Sequence, residues 1–166
     1  MYKKFKIYLD TSVPNFLFAD DAPEKKEVTI DFFDNCIMKE LYDTFISDVV
    51  IAEIEDTNNI EKREMLLYTI KKYPIEILEM TDEEEIEIET MANKYIDEGI
   101  IPSNKKADAL HVATCLVKRM NFLVSWNYKH LANVQREKRI RIINLENNYG
   151  HDLRIITPLE LTAYGS

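Results

Sequence analysis

Cysteine is scarce in this chain, with only Cys36 and Cys115 among 166 residues. Both sit in apolar helical patterns, with no CxxC pair and no cysteine–histidine cluster at zinc-ligand spacing. They therefore read as buried thiols rather than as a disulfide or a metal site. Long apolar runs are also missing: no stretch approaches the roughly 20 residues of a membrane span. The opening MYKKFKIYLDTS begins with basic residues, but its apolar run is too short for a secretory signal and is interrupted by Asp10. A cytoplasmic protein without membrane association is expected. There is no internal repeat, low-complexity tract or linker, and the length suits a single domain over residues 1–166.

Positive charge is the third deficit. The net charge of −9 argues against a nucleic-acid partner, because phosphate binding calls for a basic surface. The distribution weakens that objection. Residues 82–98 carry eight acids against Lys94, a local charge of −7, whereas residues 105–141 carry nine bases against Asp108 and Glu137, a local charge of +7. With 46% hydrophobic and 31% charged residues, the composition is that of a globular protein rather than a disordered one.

The apolar pattern alternates between strands and helices. Phe5 to Leu9 is a short β-prone run ending at Asp10, and Pro14 suits the first turn of a helix with Thr11 or Ser12 near its cap. A second unit runs from Phe45-Ile46 into the cap signal Ser47-Asp48 and the helical VVIAEIED. Helices are expected over 24–38, 60–73 and after Thr81, where Thr81 and Glu84 form a capping box and Gly99 stops the helix. Another helix is expected over 105–120, and a last one at Thr157-Pro158-Leu159-Glu160. Residues 75–78, 122–125 and 140–145 read as further strands. Such alternation predicts a three-layer α/β/α fold with a mostly parallel sheet, whose ligands bind beyond the carboxyl ends of the strands. Asp10, Asp48 and Asn127 fall at or just past such ends.

Four segments carry a more specific resemblance. YLDTSV at 8–13, SDVVIAEI at 47–54, ADALHVATC at 107–115 and LVSWNYKHL at 123–131 resemble, in order and spacing, the four motifs of the PIN domain family. That family includes the VapC-like toxins of bacterial and archaeal toxin–antitoxin pairs. The resemblance implies a PIN-like fold and a metal-dependent endoribonuclease, with Asp10, Glu53, Asp108 and Asn127 as catalytic and metal-holding residues. It further implies Mg²⁺ or Mn²⁺ as cofactor, RNA as substrate, an antitoxin protein as partner and a homo-oligomeric assembly. Asn127 stands where many relatives carry a fourth aspartate, so it can offer a carbonyl oxygen to a hard cation but no charge. The rival reading is a PIN-fold binding or scaffold protein with weak or no cleavage. Phosphoryl transfer through an aspartyl intermediate is disfavoured, because Asp10-Thr11-Ser12 lacks the second aspartate of a DxDxT motif.

The chemistry suits these residue types. Phosphodiester hydrolysis needs a nucleophilic water at neutral pH and compensation for charge growing on the phosphate, and carboxylate-held Mg²⁺ or Mn²⁺ provides both through one metal or two. Neighbouring residues admit two readings each. Asp48 serves as a helix cap or an outer partner of the site, and His111 as a structural histidine or a member of Asp108's helical face. Ser12 and Ser125 orient water or a carboxylate, or satisfy turns, and Trp126 stacks on a base or packs in the core. Lys129, Arg136, Lys138, Arg139 and Arg141 either begin a phosphate-tracking channel or form a solvated face that offsets the acidic helix.

Overall fold

The computed structural model describes residues 3–127, 129 and 131–165, the side chains of 163–165 excepted. Tyr128 and His130 of the fourth motif thus lie outside the described residues. Among the described residues, five strands form one all-parallel sheet: β1 (Lys6–Leu9), β2 (Asp43–Ile46), β3 (Ile75–Ile77), β4 (Phe122–Val124) and β5 (Arg154–Ile156), in spatial order β3-β2-β1-β4-β5. β1 is central and its Ile7, Tyr8 and Leu9 are fully buried, which explains why its sequence is a continuous apolar run rather than an alternating one.

Among the described residues, eight α-helices flank the sheet: α1 (Ser12–Asn15), α2 (Pro23–Phe32), α3 (Asp48–Glu55), α4 (Ile60–Lys72), α5 (Asp82–Asp97), α6 (Lys106–Val117), α7 (Val134–Glu146) and α8 (Pro158–Gly165). α5 packs along α6 and also meets α7, α3 touches α6 and α4, and α2 packs on α8. The result is the three-layer α/β/α arrangement expected from the sequence. A 3-10 turn at Phe16–Phe18 follows α1, and a π turn at Phe33–Ile37 continues α2.

The local signals act as anticipated at most boundaries. Ser47 caps α3 by accepting from Val49 N at 3.3 Å, and Thr81 and Glu84 exchange the reciprocal bonds of a capping box at α5. Gly99 ends that helix with φ +71°, a left-handed conformation that costs glycine no Cβ clash.

One expectation fails. Residues 140–145 are not a strand but part of α7, capped by Asn133, which accepts from Arg136 N at 2.8 Å. The β-branched run IRIINL hides a helical stripe in which Ile140, Ile143 and Asn144 are buried while Ile142 and Leu145 face solvent. Packing on α5 overrides strand propensity there. The fifth strand is Arg154–Ile156 instead, three residues long and paired in register with β4.

Strand order sets the position of the site. The chain moves outward from β1 through β2 to β3, crosses back to β4, and continues outward to β5. The connections leaving β1 and β4 therefore diverge, opening a crevice beyond their carboxyl ends, where open α/β sheets bind ligands.

Candidate active site

Asp10 is the first residue past β1, and its own N–H donates to Val124 O of β4 at 3.2 Å. This extension of the sheet hydrogen bonding fixes its backbone. Its carboxylate is almost fully buried, with 3% of the residue exposed, and both oxygens are held. Oδ1 accepts from Ser12 N at 3.0 Å and Ser12 Oγ at 2.5 Å, and Oδ2 accepts from Ser125 Oγ at 2.5 Å. Each hydroxyl in turn accepts a backbone N–H from the turn after β4: Trp126 N to Ser12 Oγ at 3.0 Å and Asn127 N to Ser125 Oγ at 2.9 Å. Ser12 and Ser125 thus orient a carboxylate and satisfy a turn at once, so their two readings coincide.

Glu53 lies in α3, six residues past the cap. Its Oε1 accepts from Thr11 Oγ1 at 2.6 Å and from His111 Nε2 at 2.7 Å. Asp108 occupies the first turn of α6, where the helix dipole favours an anion, and accepts from Asn127 Nδ2 at 3.2 Å. These side chains, with Thr11, Ser12, Asn15 and His111, line one cleft of about 250 Å³. All four residues singled out from the sequence meet there.

The other candidates divide. His111 belongs to the cleft although it is 1% exposed. Asp48 is an exposed first-turn residue of α3 outside the cleft lining, and Ser47 does the capping. Trp126 is buried, donating Nε1 to Thr29 Oγ1 at 2.9 Å and packing near Phe16, which makes it a core residue. The basic segment partly neutralises the acidic helix: Lys106 pairs with Glu89 at 2.7 Å and Lys118 with Glu84 at 2.9 Å, joining α6 to α5. Arg141 pairs with Asp152. Lys129, Lys138 and Arg139 remain exposed. Thr11, Asn15 and Tyr8 were not picked out as site residues; adjacency to Asp10 is the signal that could have found Thr11.

The electrostatics follow from burial and donors. Desolvation pushes the Asp10 carboxyl up, and the nearby Asp108 adds to this, against the pull of His111, Ser12 and Ser125; the net direction is upward. At Glu53 burial also pushes up, but the bonds from His111 and Thr11 outweigh it and hold the carboxyl below its usual range. The described lining contains no lysine or arginine to balance the three carboxylates.

Among the described residues, no three His, Cys, Asp or Glu side chains stand close enough to hold a metal ion by themselves. The donor chemistry nevertheless fits a hard divalent cation. Apart from His111, the lining offers carboxylate, amide and hydroxyl oxygens, and a cation that keeps several waters needs only one or two protein carboxylates.

The arrangement defines an α/β protein with an acidic cleft at a switch point of a parallel sheet. The chain belongs to the PIN domain family, whose profile matches residues 7–137; members of this family are generally nucleases. Among solved structures, the chain is similar in fold to a chain of VapBC2 from Rickettsia felis, solved bound to a DNA fragment from its promoter. That match has a TM-score of 0.54 at 14% identity and covers 91% of this chain and 98% of the other. No curated protein matches the sequence.

Proposed function

We propose that this chain is a metal-dependent endoribonuclease that hydrolyses RNA phosphodiester bonds and serves as the toxin of a toxin–antitoxin pair. The observation that carries the reading is the convergence of Asp10, Glu53, Asp108 and Asn127, from four separate segments, on one acidic cleft of a PIN-family sheet. Mg²⁺ or Mn²⁺, when bound, would supply charge compensation to the phosphate and ease deprotonation of water.

The chain's own groups have distinct tasks in this reading. Asp10, locked at both oxygens, is the rigid anchor for the cation, and Glu53 and Asp108 face it from two helices. Asn127 adds an amide oxygen without charge, so a second metal would be held less firmly. Exposed Lys138 and Arg139 on α7 supply salt-sensitive attraction for the RNA backbone. The likeness to VapBC2 supports an antitoxin protein as partner, and self-association of the chain is part of the same proposal. A single domain acting in the cytoplasm completes the proposal; among the described residues no helix is long and apolar enough to cross a membrane.

The test is cleavage of a diverse RNA pool by the purified wild type with Mg²⁺ or Mn²⁺, with EDTA and Asp108→Asn as controls. Cleavage abolished by both controls is expected. Activity that survives both would show another mechanism. The scaffold reading is favoured by Asn127 and by the acidic balance of the chain. Absence of wild-type cleavage across diverse RNAs would select it.

A further inference from the structure

The most telling feature outside the four motif positions is a chain of hydrogen bonds running through the core to Glu53. Tyr8 is fully buried at the middle of the sheet, where a phenol hydroxyl needs a partner. It has two: Ser47 Oγ at 2.6 Å and His111 Nδ1 at 2.7 Å. The other ring nitrogen of His111 meets Glu53 Oε1 at 2.7 Å. The chain leaves α3 at its cap, Ser47, passes through β1 and α6, and returns to α3 at Glu53.

One proton order satisfies this circuit from end to end. Val49 N–H donates to Ser47 Oγ. With a neutral imidazole protonated at Nε2, Ser47 O–H donates to Tyr8 Oη, Tyr8 O–H to His111 Nδ1 and His111 Nε2–H to Glu53 Oε1, so that every proton meets a lone pair. Thr11 Oγ1 donates to the same Oε1 at 2.6 Å. Among the described residues Oε2 receives no hydrogen bond, and it is the oxygen left for the cleft.

We infer that Tyr8 and His111 are positioning residues that fix the rotation of the Glu53 carboxylate, an inference that rests on the nuclease reading of the cleft. His111 follows Asp108 by three residues and so lies near the same face of α6. One helix therefore carries Asp108 and the donor that holds Glu53, and the spacing of two carboxylates from different elements is set together. A histidine that merely fills the core would not require its Nε2 to end on a cleft carboxylate.

The experiment combines Mn²⁺ calorimetry with nitrogen NMR of the imidazole at neutral pH, on the full chain and on His111→Leu, His111→Gln and Tyr8→Phe. Loss of an outer hydrogen-bond partner commonly weakens metal binding about 10- to 100-fold, and His111→Leu is expected to fall in that range. His111→Gln, whose amide N–H can take the place of Nε2–H, should recover most of the loss. The wild-type spectrum should show the proton on Nε2, and Tyr8→Phe should disturb that state and weaken Mn²⁺ binding in the same direction. Should His111→Leu fail to fold, Tyr8→Phe decides, since it removes one hydroxyl and keeps the ring. Wild-type Mn²⁺ affinity in folded Tyr8→Phe and His111→Leu, or a proton found on Nδ1 alone, overturns the inference. A wild type that binds no Mn²⁺ overturns the nuclease reading itself, a result distinct from equal binding by wild type and variants.

Discussion

Ser125→Ala isolates what holds the cleft together. Ser125 is fully buried, and its hydroxyl does two things: it donates to Asp10 Oδ2 at 2.5 Å and accepts from Asn127 N at 2.9 Å. A hydrogen bond to a charged group contributes about 1.5–3 kcal/mol, and an orphaned buried N–H costs about 1–3 kcal/mol. Asn127 is only half-buried, so water recovers part of the second loss, and a total of about 2–4 kcal/mol is expected. For a chain of this size each kcal/mol lowers Tm by about 2–4 °C. Urea unfolding followed by far-ultraviolet circular dichroism measures the loss directly. Its pH dependence has a definite sign. The Asp10 carboxyl is raised above its ordinary 3.8 by burial, so the folded state holds the proton more firmly than the unfolded chain. Stability from this group therefore falls as pH rises from the unfolded value through the higher folded one. Removing the Ser125 donor raises the folded value further, so the deficit of the variant should be greatest at neutral pH and shrink on acidification. Ser12→Ala leaves Oδ1 the Ser12 N–H but removes the acceptor of the buried Trp126 N–H, so its cost should be of the same order. A Ser125→Ala loss below about 0.5 kcal/mol, the range of ordinary surface substitutions, would refute this account of Asp10.

Other outcomes follow from the same geometry. Asp10→Asn should retain the fold, lose the pH-dependent destabilisation of the buried carboxylate and weaken Mn²⁺ binding; unchanged calorimetric affinity would remove Asp10 from the proposed metal set. Asn127→Asp places a fourth carboxylate against Asp108, so Tm should fall without metal and rise more than in the wild type on adding Mn²⁺, as read by scanning calorimetry. Glu53, held below the usual carboxylate range, contributes stability that is present above its unfolded value and lost as pH falls through the folded one. Glu53→Gln should flatten that part of the acid-unfolding curve. Charge reversal at Lys138 and Arg139 should weaken RNA binding and reduce its salt dependence without slowing cleavage at saturating substrate.

Much of this was legible in the sequence because the fold marks its site with punctuation. Asp10 and Asn127 follow short apolar strands, Asp108 lies in the first turn of an amphipathic helix and Glu53 lies six residues past a cap, so local pattern locates all four. What joins them is not local. The Tyr8–His111 bond spans 103 positions and the His111–Glu53 bond 58, and a tyrosine inside KIYL looks like any core residue until its hydroxyl is seen to have partners. The misread of 140–145 has a different cause: isoleucine favours strands, and only the burial of Ile140 and Ile143 against their neighbours reveals the helical period. β5 went unseen because three residues give periodicity too little length to register.

The pinning of β4 by β5 has a consequence for synthesis. Ser125 N–H donates to Ile156 O at 2.9 Å, and the Ser125 hydroxyl holds an aspartate 115 positions earlier. A ribosome adding about 5–20 residues per second needs on the order of 10 s to travel from Asp10 to Ile156. Throughout that interval the emerging polypeptide lacks the last strand that secures the turn carrying Ser125 and Asn127. The proposed cutting cleft is therefore completed only once Ile156 has been synthesised, and until then the messenger being read is not exposed to a finished blade on its own nascent product.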